Sequence, residues 1–211
     1  MRKYNLAKLK IYCRTIRRAD LSYFDQVQSA CAGGVDMLEF FDAGLSARET
    51  LQTGQKLKEI CAQHNIPFII GARPDIALAL DADGISLGQD DIPLSWARQI
   101  LGGRKLVVSY VDSLGQALSA AKEGASYVMV GPLFSAQGKS GEPRGADIIR
   151  LIKERVKLPV FAYGGVNASN ISEVIKAGAD GVSVSKALCG SDRVESSARE
   201  LRDIINSLQK A

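Results

Sequence analysis

Anion binding is the chemistry that the residue types and spacings of this chain suggest most strongly. The run YGGV at 163–166 is followed by SVSKAL at 183–188. Adjacent glycines, Gly164 and Gly165, let the backbone approach a ligand closely. A helix beginning at 185–188 would aim backbone N–H groups at a phosphate, and Ser185 and Lys186 add a hydroxyl and a positive charge. The plainer alternative is that the two glycines only turn the chain. GPLFSAQGKSGEPRG at 131–145 is a long polar loop: either a lid whose Lys139 reaches an anion or a solvated surface loop. SLGQDDIPLSWA at 86–97 offers Gln89, Asp90 and Asp91; one acid suits the cap of the next helix and the other a metal ion. Ser109, Glu39 and Asp42 complete the polar set. Cys13 reads as a small core residue rather than a nucleophile, beside Arg14. By contrast FIIGARPDIAL at 68–78 carries only Arg73 before Asp75.

These groups fall at the ends of short apolar runs. The strands are expected at 8–14, 35–41, 67–71, 83–87, 105–110, 126–131, 159–164 and 180–185. Stretches of helical period follow each, at 20–33, 46–63, 74–80, 93–101, 113–123, 145–156, 168–177 and 193–209. In the last, Val194, Leu201, Ile204, Ile205 and Leu208 share one face. Strict alternation implies parallel strands joined by crossover helices. A weak repeat, AGGVDMLEF, DADGISLGQ, EGASYVMVG and AGADGVSVS, recurs every second strand. Together with the lack of a G-x-G-x-x-G turn, this predicts a single (β/α)8 TIM barrel over residues 1–211. Its active face is formed by the loops after the strands.

Composition narrows the function. Apolar residues make up 46% and charged residues 24% of 211, and the net charge is +4. Arg14, Arg17 and Arg18 are balanced by Asp20 and Asp25, so no basic face for nucleic acid is expected. FIIGA and LVVSYV are too short to span a bilayer, and MRKYNLAKLKIY lacks the apolar segment of a secretory signal. Cys13, Cys31, Cys61 and Cys189 form no CxxC pair and His64 is the sole histidine. Zinc and disulfides are therefore not expected, and a reducing cytoplasm is. The sequence leaves monomer and homo-oligomer both open.

DADGISLGQDDIP, ASYVMVGPLFSAQGK and VFAYGGVNASNISEVIKAGADGVSVSKAL together resemble the thiamine-phosphate synthase family and its sister group, the thiazole tautomerases. The resemblance implies a (β/α)8 barrel that joins the hydroxymethylpyrimidine of a pyrophosphate ester to the ring nitrogen of a thiazole phosphate, with Mg²⁺. It implies that Gly164, Gly165 and the helix beginning near Ser185 and Lys186 take the thiazole phosphate. Asp91, in the segment that also carries Gln89, matches a magnesium ligand, Lys139 a pyrophosphate contact, and Ser109 a hydroxyl beside it. The chain also departs from the family pattern. Glu39, Phe41 and Ala43 replace a Gln-x-Arg-x-Lys run; Gly71, Ala72 and Arg73 replace Asn-Asp-Arg; Ser86 replaces a frequent histidine. Ala136, Gln137 and Gly138 stand for Thr-x-Thr, and Val111 for the tautomerase histidine. Arg14 and Arg73 are the cations left nearby. The departures lead to the expectation of a depleted pyrophosphate half and weak synthase chemistry. The alternatives are a paralogue acting on another small phosphorylated ligand, or a non-catalytic barrel that binds one.

Overall fold

A computed structural model describes residues 4–134 and 143–208. After a 3-10 turn at Leu6–Lys8, eight strands alternate with helices: β1 (Ile11–Arg14), α1 (Tyr23–Ala32), β2 (Met37–Phe40), α2 (Ala47–Gln63), β3 (Phe68–Gly71) and α3 (Pro74–Ala79). They continue as β4 (Gly84–Leu87), α4 (Leu94–Leu101), β5 (Leu106–Val111), α5 (Leu114–Lys122), β6 (Tyr127–Val130) and α6 (Asp147–Arg155). The chain closes with β7 (Val160–Tyr163), α7 (Ile171–Lys176), β8 (Gly181–Val184), α8 (Lys186–Cys189) and α9 (Val194–Leu208). Each strand pairs in parallel with the next, and β8 returns to β1, so the sheet is a closed barrel. All strand ends therefore meet on one face, as the alternation predicted.

The period of two sorts the strand residues into two cores. Tyr12, Met37, Ile69, Val108, Tyr127 and Phe161 fill the barrel. Their neighbours, such as Cys13, Leu38, Ile70, Val107 and Val128, pack under the helices. Local chemistry starts the helices. Ser22 accepts from the Asp25 N–H at the start of α1, Ser46 and Glu49 form a reciprocal capping box on α2, and Ser113 accepts from the Gln116 N–H on α5. In α9, Val194, Ala198, Leu201 and Ile205 are buried at helical spacing. The first strand is shorter than expected because Asn5 caps the turn at Leu6–Lys8, and Leu6 joins the interior cluster. Among the described residues, no helix is long and apolar enough to cross a membrane.

Candidate active site at the mouth of the barrel

The ends of β7 and β8 carry a backbone cradle. Gly164 and Gly165 have φ of 89° and 68°, the left-handed region that disfavours side chains. A Cβ on Gly164 would lie 2.5 Å from the Pro132 Cβ, and one on Gly165 2.8 Å from the Phe134 Cβ. The turn is stitched to the loop after β6: the Leu133 and Phe134 N–H groups donate to the Tyr163 and Gly164 carbonyls at 3.0 and 3.1 Å. Asn167 and Asn170 each donate to the Gly165 carbonyl at 3.0 Å. With its carbonyls engaged, the turn is fixed in shape. Next to it, Ser185 donates to the Arg14 carbonyl at 3.3 Å, and Lys186 opens α8, exposed to solvent. Gly164, Gly165, Ser185 and Lys186 thus sit on neighbouring strand ends. Cys13 and Cys189 meet behind them with sulfurs 3.4 Å apart, both buried. The neighbouring Cys189 thiol, together with burial, pushes the Cys13 thiol well above its usual range, which makes Cys13 a packing residue.

A second group gathers at the ends of β4 and β5. Gln89, Asp91 and Ser109 line one cavity of about 450 Å³ that continues along α5 past Gln116 and Ser119. Ser109 has the opposite parity to Val108 and Tyr110, so it leaves the barrel interior and faces this cavity. Gln89 is anchored by a 2.6 Å bond from its amide to the Tyr110 carbonyl. Asp91 spends one oxygen on the Gly88 N–H at 2.7 Å. Neither Asp90 nor Asp91 caps α4: its first turn has no cap from its own loop, and Glu123 accepts from the Ser95 N–H at 3.4 Å. Among the described residues, no three His, Cys, Asp or Glu side chains cluster as a metal cage. A single carboxylate suits Mg²⁺ that keeps several waters and arrives with phosphate oxygens.

Between these groups lies a network that joins four strands. Glu39, 1% exposed, accepts from the Tyr12 and Tyr110 hydroxyls at 2.7 Å each and from Ser86 at 2.9 Å. Arg14 Nε stands 3.5 Å from Glu39 Oε1. Its guanidinium lies 4.7 Å from the Phe41 ring centre and 5.7 Å from that of Tyr110. Tyr163 closes against Tyr110 edge-on at 4.9 Å. Burial first, then the Glu39 charge, pushes the Tyr12 and Tyr110 phenols well above their usual range, so both stay donors. Burial lowers the Arg14 value, but the Glu39 charge together with Tyr110 and Tyr12 more than offsets it and keeps the guanidinium charged. Glu39 therefore serves as a buried acceptor rather than a base open to substrate.

The strand-three end is occupied from above. A Cβ on Gly71 would fall 2.6 Å from the Phe41 ring. Ala72 adopts φ of 58° and donates to the Ser86 carbonyl at 2.8 Å. Arg73, expected to bind substrate, holds Asp75 through bonds of 2.8 and 2.6 Å at the start of α3. Asp42 is likewise engaged by Arg17, Tyr23 and the Gly44 N–H. Lys139 lies outside the described residues.

A family model described as thiamine monophosphate synthase matches residues 11–188. The chain belongs to that family. It is similar to thiamine-phosphate synthases of Chloroflexus aurantiacus, at 36% identity over 87% of this chain and 86% of the relative, and of Moorella thermoacetica, at 38% over 85% and 86%. The solved structure of a thiamine phosphate pyrophosphorylase from Pyrococcus furiosus shares 34% identity and superposes with a TM-score of 0.89, covering 96% of this chain and 98% of that one. The family match spans every strand, and with it both groups of site residues. Tyr12, Tyr110 and Tyr163, which shape the mouth in this family member, are not among the residues that the sequence singles out by type and spacing. Strand parity was the available signal, since Tyr110 shares the inward face of Val108.

Proposed function

We propose that the protein is a transferase of thiamine biosynthesis that joins hydroxymethylpyrimidine, carried as its pyrophosphate ester, to thiazole phosphate and releases pyrophosphate. The cavity that collects Gln89, Asp91 and Ser109 at the ends of β4 and β5, on the same strand-end face as the glycine cradle, supports this reading most directly. In it, Gly164, Gly165, Ser185 and Lys186 hold the thiazole phosphate, so that the ring nitrogen faces the mouth. Gln89, Ser109 and Lys139 hold the pyrophosphate while the carbon–oxygen bond breaks and the nitrogen–carbon bond forms. Asp91 would hold Mg²⁺, which supplies positive charge to the departing pyrophosphate. Donors already ordered around a leaving group of growing negative charge lower the barrier more than any other feature of such a site.

The packing of Phe41 over Gly71 favours a second reading, in which the same cradle takes another small phosphorylated ligand. The test is Mg²⁺-dependent formation of thiamine phosphate by the purified protein, with pyrophosphate release measured alongside. Stoichiometric product and pyrophosphate support the synthase. Tight binding of thiazole phosphate with no product moves the assignment to the second reading.

A further inference from the structure

Arg14 differs from the other arginines around the mouth. Arg17 makes bonds of 2.8 and 2.9 Å to Asp42, Arg73 two bonds to Asp75, and Arg144 one of 3.0 Å to Asp112. Arg14 approaches a carboxylate only at 3.5 Å, and that carboxylate already accepts from three hydroxyls. A charge-assisted pair normally closes to about 2.7–2.9 Å. Strands β1 and β5 stand opposite each other in the eight-strand ring, so Arg14 and Tyr110 approach each other over the barrel interior. Phe41 and Tyr110 flank the guanidinium within cation–π distance, and among the described residues no carboxylate closes on it at hydrogen-bonding distance. The Arg14 side chain is 30% exposed above a carboxylate that is 1% exposed.

We propose that Arg14 receives a diphosphate oxyanion at the centre of the mouth, supplying from β1 a cation that β2 does not. Tyr110 connects the two halves of this site: its ring flanks Arg14, and its carbonyl anchors Gln89 in the cavity with Asp91 and Ser109. The diphosphate is the ligand of Arg14, while the glycine cradle serves a monophosphate. Glu39 lies next to Arg14, but three hydroxyls already take most of its lone pairs. The inference rests on the synthase reading for its choice of ligand.

The test is calorimetric titration with inorganic pyrophosphate in Mg²⁺ buffer, with thiazole phosphate as the second arm. The proteins are wild type, Arg14→Lys, and the double variant Arg14→Gln/Glu39→Gln, which removes both charges together so that neither is left buried alone. The double variant should lose pyrophosphate affinity by about tenfold or more, the worth of one charge-assisted contact, and bind thiazole phosphate as wild type does. Arg14→Lys keeps the charge over Glu39 but not the two-pronged edge, and should show a smaller loss. Wild-type pyrophosphate affinity in either folded variant would overturn the proposal. An equal loss for both ligands would overturn the assignment to the diphosphate. Turnover that does not depend on Arg14 sinks this inference and leaves the synthase reading standing. Pyrophosphate binding through Arg14 without turnover does the reverse.

Discussion

The two sides of the mouth are built on opposite principles. At β7–β8 the absence of side chains lets the backbone turn tightly: Gly164 and Gly165 hold left-handed turns packed against Pro132 and Phe134, with their carbonyls tied off. At β1–β2–β3 a glycine again lacks a side chain, but the ring of Phe41 fills the space over Gly71. Below that ring, three hydroxyls and a guanidinium surround one buried carboxylate. The first region is a rigid receptacle, the second a packed plug that presents one cation. A neighbour fills the side-chain volume at all three glycines, so what separates the two regions is the backbone, left-handed at Gly164 and Gly165 but not at Gly71.

The contrast can be broken most forcefully at Glu39. Glu39→Ala would leave Tyr12, Tyr110 and Ser86 without an acceptor and Arg14 without its counter-charge. A cost of about 3–5 kcal/mol is expected, read from urea unfolding. Glu39→Gln, which keeps an acceptor, should cost clearly less. A mild effect of the alanine would mean that the plug is not held together by this carboxylate.

Next in size is Gly164→Ala. The new Cβ meets Pro132 at 2.5 Å in a backbone region that alanine avoids. Backbone strain and overpacking together should cost about 2–3 kcal/mol and weaken thiazole phosphate binding in the same protein. Retained binding at full strength would show that the ligand sits elsewhere.

A smaller effect sharpens the opposite side. Gly71→Ala should cost about 1–2 kcal/mol because the Phe41 ring must move. Adding Phe41→Ala should return much of that, so that a double-mutant cycle reports coupling of about 1 kcal/mol. Strictly additive effects would deny that the ring occupies the Gly71 volume.

The smallest effect concerns the outer rim. Burial raises the Asp42 value somewhat, but hydrogen bonds from Arg17 and Tyr23 more than offset this and leave its carboxyl below the usual range. A depressed folded value means that Asp42 adds stability above the unfolded carboxylate pKa of about 3.9. That contribution is lost as pH falls through the lower folded value. Asp42→Asn should therefore melt slightly below wild type at neutral pH, with the gap closing in acid. A gap that stays constant with pH would assign the effect to shape rather than charge.

The barrel itself was legible in the sequence, because its causes are local. Alternating apolar residues, helical periodicity and the weak repeat before every second strand act over a few positions, and the strands at 67–71 and 83–87 lie within a residue of those found. The glycine cradle was legible for the same reason, since adjacent glycines already point to unusual backbone. Less could be read of the direction in which each polar residue faces. Ser109 was visible as a hydroxyl at a strand end, but its parity carries it into the cavity outside the strands. Arg73 was visible as a cation beside the mouth, but the turn at Ala72 sends it to Asp75.

What the sequence by itself determined is the set of parts: eight parallel strands, their shared face, and adjacent glycines for an unusual backbone at β7–β8. Only the closed barrel decided that Glu39 meets Tyr12, Ser86 and Tyr110, partners 27, 47 and 71 residues away. It also decided that Arg14 on β1 meets Tyr110 on β5. Such contacts depend on which strands stand opposite one another, and no short stretch of chain contains that information until β8 pairs with β1.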